Sequence, residues 1–445
     1  MTRSVRHRVR FAAALGIWFL VLFTLIAGEH LVSAAELHPN VVLIMADDSA
    51  VDNYSCYGSE YFSTPRIDEL ARNGAKFNHC YSEPVCTSSR VKIMTGRDGY
   101  RNYVRFGTLD RSETTFGTVL KNAGCATAVA GKWQLQGPPN GSLAPDCGFD
   151  SYCLWNYPGT QRSRFWNPSI MQNGTLLETT DDDYGPDIFL NFVTDFIEQN
   201  RDRPFFVYYP MVLVHAPFVR TPDSTDRNAN SLALFRDMTS YADKCVGRLV
   251  DALEENGLRQ NTVVIYTTDN GTGRSLTYPF GDERRKGEKA YATEGGTHAP
   301  LVVNCPGLVP AGTVSDDLVD FSDFLPTLAE ITGAAVPDVE LDGRSFWPQC
   351  LGREGNPRKW IRQYYYPKFG PAAEKHGQGV NSREIVWAQN QHYKLYRDNS
   401  FYAVADRHET TPIEPGTGSE DAEACRKLLR AALDELPGKA AMLDP

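Results

Sequence analysis

The stretch NVVLIMADD, residues 40–48, is a short apolar run that stops at two adjacent carboxylates. Its length and β-branched side chains predict a buried strand over residues 40–45. Four later stretches follow the same pattern and are also predicted to be strands: ATAVAG (126–131), PFFVYYPMVLVHAPF (204–218), NTVVIYTTDNG (261–271) and APLVVNCPG (299–307). The second of these runs out into His215, and the third again ends on a carboxylate. The first stretch therefore sets a pattern of buried strands with polar ends.

Helical patterns lie between these strands. Thr64 as N-cap and Pro65 at the first position open one helix, and Gly74 closes it. Further helices are predicted after Cys86 and in TTFGTVLKNAGC (114–125), YGPDIFLNFVTDFIEQN (184–200), residues 231–256 and FSDFLPTLAEITG (321–333). Strands that alternate with helices predict an α/β domain with a large, mostly parallel central sheet flanked by helices.

The pattern of the sequence changes past about residue 355. EIVWAQNQHYKLYRDNSFYAV (384–404) shows short strands joined by turn residues, and DAEACRKLLRAALDEL (421–436) is a terminal helix. We expect a main domain over residues 36–355 and a smaller C-terminal α+β subdomain with an antiparallel sheet over residues 356–445.

The N-terminus has the order of a secretory signal peptide. Four arginines lie in the first ten residues, and then come the apolar run FAAALGIWFLVLFTLIA (11–27) and the small residues VSAA (32–35). We expect cleavage near Ala34 or Ala35, and thus a periplasmic or extracellular protein without a stable membrane partner. The alternative is an uncleaved membrane anchor, because the apolar run is long for a signal peptide.

The net charge argues against nucleic acid as a partner. The whole chain carries −10, and loss of four Arg and one Glu with residues 1–35 gives −13. The ten cysteines are permitted to form disulfides in an exported protein. Cys147 and Cys153 are close enough in sequence to pair, although the connectivity cannot be deduced from sequence.

Polar residues collect where two predicted strands end. Asp47 and Asp48 follow the first strand, and Asp269 and Asn270 follow the strand at 261–268. In open α/β sheets, ligands bind beyond the carboxyl ends of the strands. Three carboxylates and an amide there are costly unless a cation neutralises them, and their oxygens suit Ca²⁺ or Mg²⁺ rather than zinc. For either pair alone, ordinary turn chemistry explains the residues as well.

Basic residues also lie near strand ends. Lys132, His215 and Lys289 follow or flank predicted strands, and Arg90 lies four residues after Cys86. Each one alone is typical of a surface charge or a packed side chain. Together with the acidic residues they indicate a site that holds a metal ion and a tetrahedral oxyanion.

The stretch CTSSRVKIMTG (86–96) resembles the sulfatase signature, a Cys, any residue, Pro or Ala, Ser and Arg, followed by a short helix that ends in Thr-Gly. Other landmarks of that family follow in family order over roughly residues 40–350. They are VVLIMADD, TPRIDELARNGAKFNHCYS, GKW, HAPF, YTTDNG, EGGTHAP, FSDFLPTLAEITG and LDGRSFWP. The chain is therefore similar to the arylsulfatase-like, formylglycine-dependent sulfatases of the alkaline phosphatase superfamily.

The resemblance implies a fold and a chemistry. The fold is an alkaline phosphatase-like sandwich, and the activity is hydrolysis of a small-molecule or carbohydrate sulfate ester. A formylglycine-generating enzyme would convert Cys86 into formylglycine during maturation, and one hydroxyl of its hydrate attacks the sulfur. If Cys86 is converted, nine cysteines remain and at least one has no partner within the chain. Without conversion, Cys86 is an ordinary buried or bridged cysteine.

The resemblance also implies a role for each matched residue. The Ca²⁺ ligands would be Asp47, Asp48, Asp269, Asn270 and the modified Cys86. Arg90 would steady the hydrate. The sulfate would be gripped by Lys132, His215 and Lys289, with His215 or a lysine assisting the leaving group.

Two positions depart from the family pattern. Ser88 stands where the motif has Pro or Ala, and Gln134 stands where most sulfatases have a His that contacts the formylglycine. Glutamine can hydrogen-bond substrate but cannot titrate, and loss of a positioned acid–base group costs roughly 10²–10⁴-fold in rate. We hypothesise that His298, where many relatives have Arg, takes over proton handling.

Two other functions are compatible with these residues. One is a phosphonate or phosphodiester hydrolase that uses the same site, and the other is a catalytically impaired binder of sulfated glycans. The identity of the substrate is not readable, since loops such as NYPGTQRSRFWNPS (156–169) would determine it. Within that loop, Tyr157, Arg162, Arg164 and Trp166 are either sugar or anion contacts or simply residues that hold a surface loop.

Overall fold

The computed structural model describes residues 38–161, 163–367 and 384–436. The predicted signal peptide, residues 1–35, lies outside this part of the chain. None of the described helices is both long enough and apolar enough to cross a membrane. The boundary expected near residue 355 stays a prediction.

Sixteen strands are described. They are β1 Asn40–Ala46, β2 Ala75–Tyr81, β3 Ala126–Lys132, β4 Ser151–Trp155, β5 Met171–Gln172, β6 Thr175–Leu176, β7 Phe205–Pro210, β8 Thr262–Thr268, β9 Thr277–Phe280, β10 Glu283–Lys286, β11 His298–Asn304, β12 Thr313–Asp320, β13 Ile361–Tyr365, β14 Ile385–Gln389, β15 Tyr393–Tyr396 and β16 Phe401–Ala403.

Seven of the ten α-helices in the described residues match predicted patterns. The ten helices are α1 Pro65–Arg72, α2 Cys86–Thr95, α3 Gly99–Asn102, α4 Phe116–Asn122, α5 Gly185–Gln199, α6 Ser231–Glu255, α7 Glu294–Thr297, α8 Phe324–Thr332, α9 Trp347–Cys350 and α10 Glu420–Asp434. The three four-residue helices α3, α7 and α9 were not predicted. As expected, Pro65 is the first residue of α1. Gly333 ends α8 in the left-handed conformation, which glycine adopts without steric cost.

Ten strands form one sheet in the order β12-β2-β11-β8-β1-β7-β3-β4-β5-β6. Its central strands β8, β1, β7, β3 and β4 are parallel to one another. β11 runs antiparallel to both β8 and β2, and β12 is parallel to β2. The predicted large and mostly parallel sheet is therefore confirmed.

Alternate residues of β1 enter two separate cores. Val41, Leu43 and Met45 pack in a cluster with residues of α2, α4 and α8, whereas Val42 and Ile44 pack with residues of α1, α5 and α6. Because helices cover both faces, the central strands need apolar residues at every position. This explains why β1 is a continuous apolar run, and it confirms the predicted sandwich of helices around a sheet.

The C-terminal segment forms a second, four-stranded sheet. Its strands β13, β14, β15 and β16 are antiparallel neighbours in that order. Leu429 and Leu433 of α10 are buried in a common cluster with Val386, Leu395 and Phe401 of the sheet. The predicted small α+β unit with an antiparallel sheet is confirmed.

A buried lysine connects α2 to this C-terminal sheet. Lys92 donates to Asp320 at 2.9 Å and to Gln363 of β13 at 2.7 Å, and it lies 3.2 Å from Asp98. A buried charge with several acceptors in fixed positions specifies the placement of the element that carries it. The helix that begins at Cys86 is therefore held between the main sheet and the C-terminal unit.

The strand predicted to run out into His215 is shorter than expected, because β7 ends at Pro210. The next residues bend around the end of β1 instead. Met211 donates to the Met45 carbonyl at 2.9 Å, and the Asp47 amide donates to the Leu213 carbonyl at 2.7 Å. His215 consequently lies on a loop, not on a strand.

All ten cysteines are free in the structure. The suggested pairing of Cys147 with Cys153 is therefore wrong for this structure. The physical reason is that Cys147 packs in the core cluster on one face of the main sheet, whereas Cys153 packs in the cluster on the other face. Proximity in sequence does not bring the two sulfurs together, because β4 carries its side chains alternately to opposite faces.

Candidate active site

The acidic residues that follow β1 and β8 lie side by side. The two strands are parallel neighbours in register to their last residues, so the chain leaves the sheet at the same level in both. The Asp48 amide donates to the carboxylate of Asp269 at 3.1 Å, and the Asn270 side chain donates to Asp48 at 2.9 Å. We call Asp47, Asp48, Asp269 and Asn270 the acidic cluster; all four are buried.

Two lysines contact the acidic cluster directly. Lys132, the last residue of β3, donates to both carboxylate oxygens of Asp47, at 2.9 and 2.8 Å. Lys289, on the loop after β10, donates to Asp48 at 2.5 Å. Neither lysine is the exposed surface charge that its residue type alone suggests, since Lys132 is buried and the Lys289 side chain is 20% exposed.

His215 approaches the same cluster from the loop after β7. Its Nδ1 lies 2.6 Å from the Ala216 carbonyl, and its Nε2 lies 3.4 Å from a carboxylate oxygen of Asp48. Because a carbonyl only accepts, Nδ1 carries the proton in the neutral ring. Burial lowers the pKa of His215, and the charges of Asp48 and Asp47 oppose this only in part. The ring is therefore neutral near pH 7, with Nε2 as an acceptor.

The three carboxylates differ in their affinity for protons. Burial alone would raise the pKa of Asp47, but the nearby basic residues, with Lys132 the largest contributor, together outweigh burial and hold that pKa well below its ordinary value. The pKa of Asp48 is lowered in the same way, against burial, by Lys289. Burial and the nearby charge of Asp47 instead raise the pKa of Asp269 to about 7. The three carboxylates thus face the positive charges of Lys132, Lys289 and Arg90, and Asp269 is the one of them that binds a proton most readily.

The acidic cluster has the donors of a divalent cation site. Ligand atoms of Asp47, Asp48 and His215 all lie within 4.8 Å of one another. The side-chain oxygen of Asn270 is buried and has no hydrogen-bond partner in the described part of the chain. Such an oxygen needs a partner, and carboxylate and amide oxygens are the ligands of Ca²⁺. These residues fit the cation predicted from the sequence, and the ring of His215 borders the same space.

Cys86 is the first residue of α2, a helix in which every residue is buried. Val85 precedes it in extended conformation and gives no side-chain cap, so this end of the helix favours negative charge. Arg90, on the next turn, donates to Asp269 at 2.9 Å and to the Lys132 carbonyl at 3.2 Å. Arg90 thereby joins the helix of Cys86 to the acidic cluster and to the end of β3.

The two departures from the family pattern both contact the start of α2. The Cys86 thiol donates to the side-chain oxygen of Gln134 at 3.4 Å. Gln134 has a φ of 61°, an uncommon backbone conformation for a residue other than glycine. The Ser88 hydroxyl donates to the Val85 carbonyl at 3.0 Å. Glutamine therefore occupies the position next to the candidate nucleophile.

His298 is not brought into this group. It begins β11, where its Nε2 lies 2.9 Å from the Asn78 carbonyl and its Nδ1 lies 3.3 Å from Glu294. The ring also stacks on Tyr81 with centroids 5.1 Å apart. With both nitrogens engaged, the ring has none left to face Cys86. The arrangement is that of a residue that supports β11.

Replacement of His298 by alanine is therefore expected to lower thermal stability while the pH profile of kcat keeps its shape. The loss comes from the buried Glu294, which would lose a hydrogen-bond partner at a cost of about 1–3 kcal/mol. Thermal unfolding and kcat measured from pH 5 to 9 test this expectation. A change in the acidic or basic limb of the kcat pH profile of the variant would instead support a role for His298 in proton handling.

The loop at residues 156–169 separates into residues that pack and one that reaches the site. Tyr157 is buried and its hydroxyl accepts from the Ala144 amide at 3.3 Å, so it belongs to the core. Trp166 donates to the Arg220 carbonyl at 2.8 Å. Arg162 lies outside the described residues. Arg164 reaches the acidic cluster, with Nη1 3.9 Å from Asp47. In the sequence, Arg164 is distinguished only as a basic residue beside aromatic residues.

Comparison with known proteins identifies two family models in the chain. A model described as sulfatase matches residues 39–334. A second one, described as N-sulphoglucosamine sulphohydrolase, C-terminal, matches residues 283–434. The first match contains every residue of the acidic cluster, together with Cys86 and the basic residues around it.

Individual relatives agree with the family models. Human arylsulfatase A is 32% identical over 411 residues, which cover 85% of this chain and 77% of the relative. A solved structure bound to its substrate D-glucosamine-2-N,6-O-disulfate has a TM-score of 0.71 at 21% identity and covers 89% of this chain and 97% of its own. The phosphonate monoester hydrolase of Agrobacterium radiobacter has a TM-score of 0.66 at 19% identity, with 89% and 96% covered. Both solved structures share the fold of this chain.

Proposed function

The chain belongs to the sulfatase family and is a sulfuric ester hydrolase, and we propose that it acts through Ca²⁺ held by the acidic cluster and through formylglycine made from Cys86. One observation carries this proposal. The Arg90–Asp269 ion pair, at 2.9 Å, holds the helix that begins at Cys86 against the carboxylates that follow β1 and β8. A modified Cys86 then completes the ligand set of Asp47, Asp48, Asp269 and Asn270.

When present, the metal and the aldehyde hydrate would supply an activated oxygen nucleophile. The chain's own residues supply the rest. Lys132 and Lys289 neutralise charge on the sulfate oxygens, because both ammonium groups lie on the acidic cluster. Arg90 orients the first turn of α2. His215, neutral near pH 7, would take up at Nε2 the proton released when the nucleophile attacks and would pass it to the oxygen of the leaving alcohol.

Gln134 holds the side chain at position 86 by a hydrogen bond and does not titrate. The proton handled by a His at this position in most sulfatases must then pass through another group. His215 is the candidate, since its ring reaches Asp48 while the ring of His298 is engaged by Asn78 and Glu294. This assignment replaces the hypothesis that His298 takes over proton handling.

We further propose that the substrate is a sulfated carbohydrate. Support comes from the structural neighbour that binds D-glucosamine-2-N,6-O-disulfate and from the second family model, described as N-sulphoglucosamine sulphohydrolase, C-terminal. Maturation would require a formylglycine-generating enzyme that accepts Ser88 in its motif. The order of residues at the N-terminus supports an exported protein.

A matched panel of substrates tests the reaction class. We expect the purified, exported protein to hydrolyse an aryl sulfate with kcat/KM about 100-fold above that for the aryl phosphate diester and the aryl phosphonate of the same leaving group. The same leaving group throughout makes the transferred group the only variable. A preference for the phosphonate or the diester would favour the alternative hydrolase on this fold. Binding of a sulfated glycan without turnover of any ester would favour the binder.

A further inference from the structure

Arg164 is the basic residue of the loop between β4 and β5 that reaches the acidic cluster. Its guanidinium carbon lies 4.2 Å from the centre of the Trp155 ring and 5.6 Å from that of Phe165. Its Nη2 donates to the Ala216 carbonyl at 2.8 Å, next to His215. Stacking on one side and a carbonyl on the other hold the guanidinium in one orientation.

The backbone that carries Arg164 is also held in place. Gly185, at the start of α5, lies so close that an added Cβ would sit 2.1 Å from the Arg164 carbonyl oxygen. The Gly185 amide donates to the Phe165 carbonyl at 2.7 Å. Because α5 packs on the main sheet, the loop presents Arg164 from a rigid base. The side chain is therefore positioned before any ligand binds.

Most of the hydrogen-bonding capacity of Arg164 is unused. The Nε and Nη1 atoms are buried and have no hydrogen-bond partner in the described part of the chain. Nη1 lies 3.9 Å from Asp47, too far for a hydrogen bond, and both oxygens of Asp47 already accept from Lys132. Only 11% of the side chain is exposed, so solvent satisfies these donors poorly. The donors need an acceptor from outside the chain.

The charge of this region indicates what that acceptor is. Arg164 keeps its positive charge although burial lowers its pKa, because Asp47 and Asp48 oppose the effect of burial. A guanidinium is a strong donor to the oxygens of an oxyanion, and Nη1 is the free nitrogen that faces the acidic cluster. Gln134, next to Cys86, brings no charge of its own. A cation at Arg164 therefore adds positive charge beside the candidate nucleophile.

We propose that Arg164 is a substrate-binding residue, which donates from Nη1, its free nitrogen that faces Asp47, to an oxygen of the sulfate group that is cleaved. This inference rests on the proposed function, since it places the scissile sulfate at the acidic cluster. It adds a cation from the loop after β4 to those at Lys132, Lys289 and Arg90. The role of Trp155 and Ala216 is then to hold the guanidinium in the orientation that the sulfate requires.

The test compares Arg164→Met with wild-type protein. Methionine keeps an unbranched apolar side chain for packing on Trp155 and removes every N–H group. Arg426→Met is the matched control, because Arg426 also stacks on an aromatic ring at 4.2 Å, that of Phe401, and donates to a carbonyl, that of Ile413, at 2.7 Å. Arg426 belongs to the C-terminal unit, and nothing in the proposal gives it a part in sulfate binding.

Two readouts are measured with each protein. One is kcat/KM for an aryl sulfate, and the other is the stabilisation against thermal unfolding by inorganic sulfate. For Arg164→Met we expect kcat/KM to fall about 10- to 100-fold, the size of a lost charge-assisted hydrogen bond, and sulfate to bind at least about tenfold more weakly. For Arg426→Met both quantities stay at the wild-type level.

The outcomes separate this inference from the proposed function. Wild-type affinity for sulfate in a folded Arg164→Met variant overturns the role of Arg164 even if the enzyme is a sulfatase. Should Arg164→Met fail to fold, Arg164→Lys decides, because an ammonium lacks the planar group that Trp155 and Ala216 hold in one orientation: unchanged kcat/KM and sulfate affinity overturn the proposal, and a partial loss of both supports it. If the wild-type protein binds sulfate but turns over no sulfate ester, the proposed function fails, while the binding measurement still tests Arg164.

Discussion

Replacement of Cys86 by alanine is expected to abolish sulfate ester hydrolysis, with kcat lower by about 10⁵-fold or more. The variant cannot form the aldehyde, and the hydroxyls that follow position 86 on the described helix are engaged: Thr87 accepts from the Gly107 amide, and Ser88 and Ser89 donate to backbone carbonyls. Steady-state kinetics with an aryl sulfate measure this loss.

The folded state should tolerate the change well. Alanine at position 86 removes one buried thiol and its 3.4 Å hydrogen bond to Gln134. Cys80→Ala is the matched control, because Cys80 is also buried but lies within β2 and packs in the hydrophobic core. We expect this control to keep wild-type turnover. Substantial activity in Cys86→Ala would contradict a nucleophile at this position.

Peptide mass spectrometry over residues 83–90 provides the second measurement on Cys86. In active wild-type protein this peptide is expected to carry an aldehyde in place of the thiol. Because Ser88 departs from the usual motif, the converted fraction should vary with the host, and kcat should vary in proportion to it. A free thiol in every preparation, together with full activity, would falsify the formylglycine proposal.

Removal of the metal has the second largest expected effect. Chelation should lower the activity by about 10³-fold or more, since a bound cation supplies several kcal/mol of charge stabilisation in the transition state. The protein should also unfold at a lower temperature, because three buried carboxylates then lie close together. Added Ca²⁺ is expected to restore both, with a stabilisation of about 2.7 kcal/mol at one hundred times its dissociation constant.

Asp269→Asn tests the same site by substitution. Asparagine keeps the size of the side chain but removes the charge that pairs with Arg90 and would bind the cation. We expect weaker Ca²⁺ binding by isothermal titration calorimetry and a loss of activity close to that caused by chelation. Asp150→Asn is the control, because Asp150 directly precedes β4 and lies at the opposite, amino end of the parallel strands. Equal Ca²⁺ affinity in Asp269→Asn and wild type would exclude this residue as a ligand.

Several elements of the fold were predictable from sequence because residues within the element itself specify it. The central strands β1, β7 and β8 are covered on both faces, so each is a continuous apolar run. The helices α1 and α8 carry their own start and stop signals, as Pro65 and Gly333 show. Strands at and next to one edge of the sheet were harder to predict. β12 has the sequence TVSDDLVD and β2 has AKFNHCY, and neither was predicted, because their polar residues fit a strand only beside their neighbours.

The sequence by itself determined which chemical groups are available to the site. Carboxylates directly after parallel strands must meet at one edge of the sheet, so Asp47, Asp48, Asp269 and Asn270 were predictable as one cluster. The matching of Cys86 and Arg90 to the family motif needed no coordinates either.

Only the tertiary structure decided which of the remaining polar residues reach that edge. His298 follows a promising motif, yet its ring is engaged by Asn78 and Glu294, while Arg164 comes from an unremarkable loop and lies beside Asp47. The physical reason is that long side chains on loops are directed by packing partners far away in sequence. Trp155 and Gly185 direct Arg164, and no local pattern around Arg164 encodes their positions.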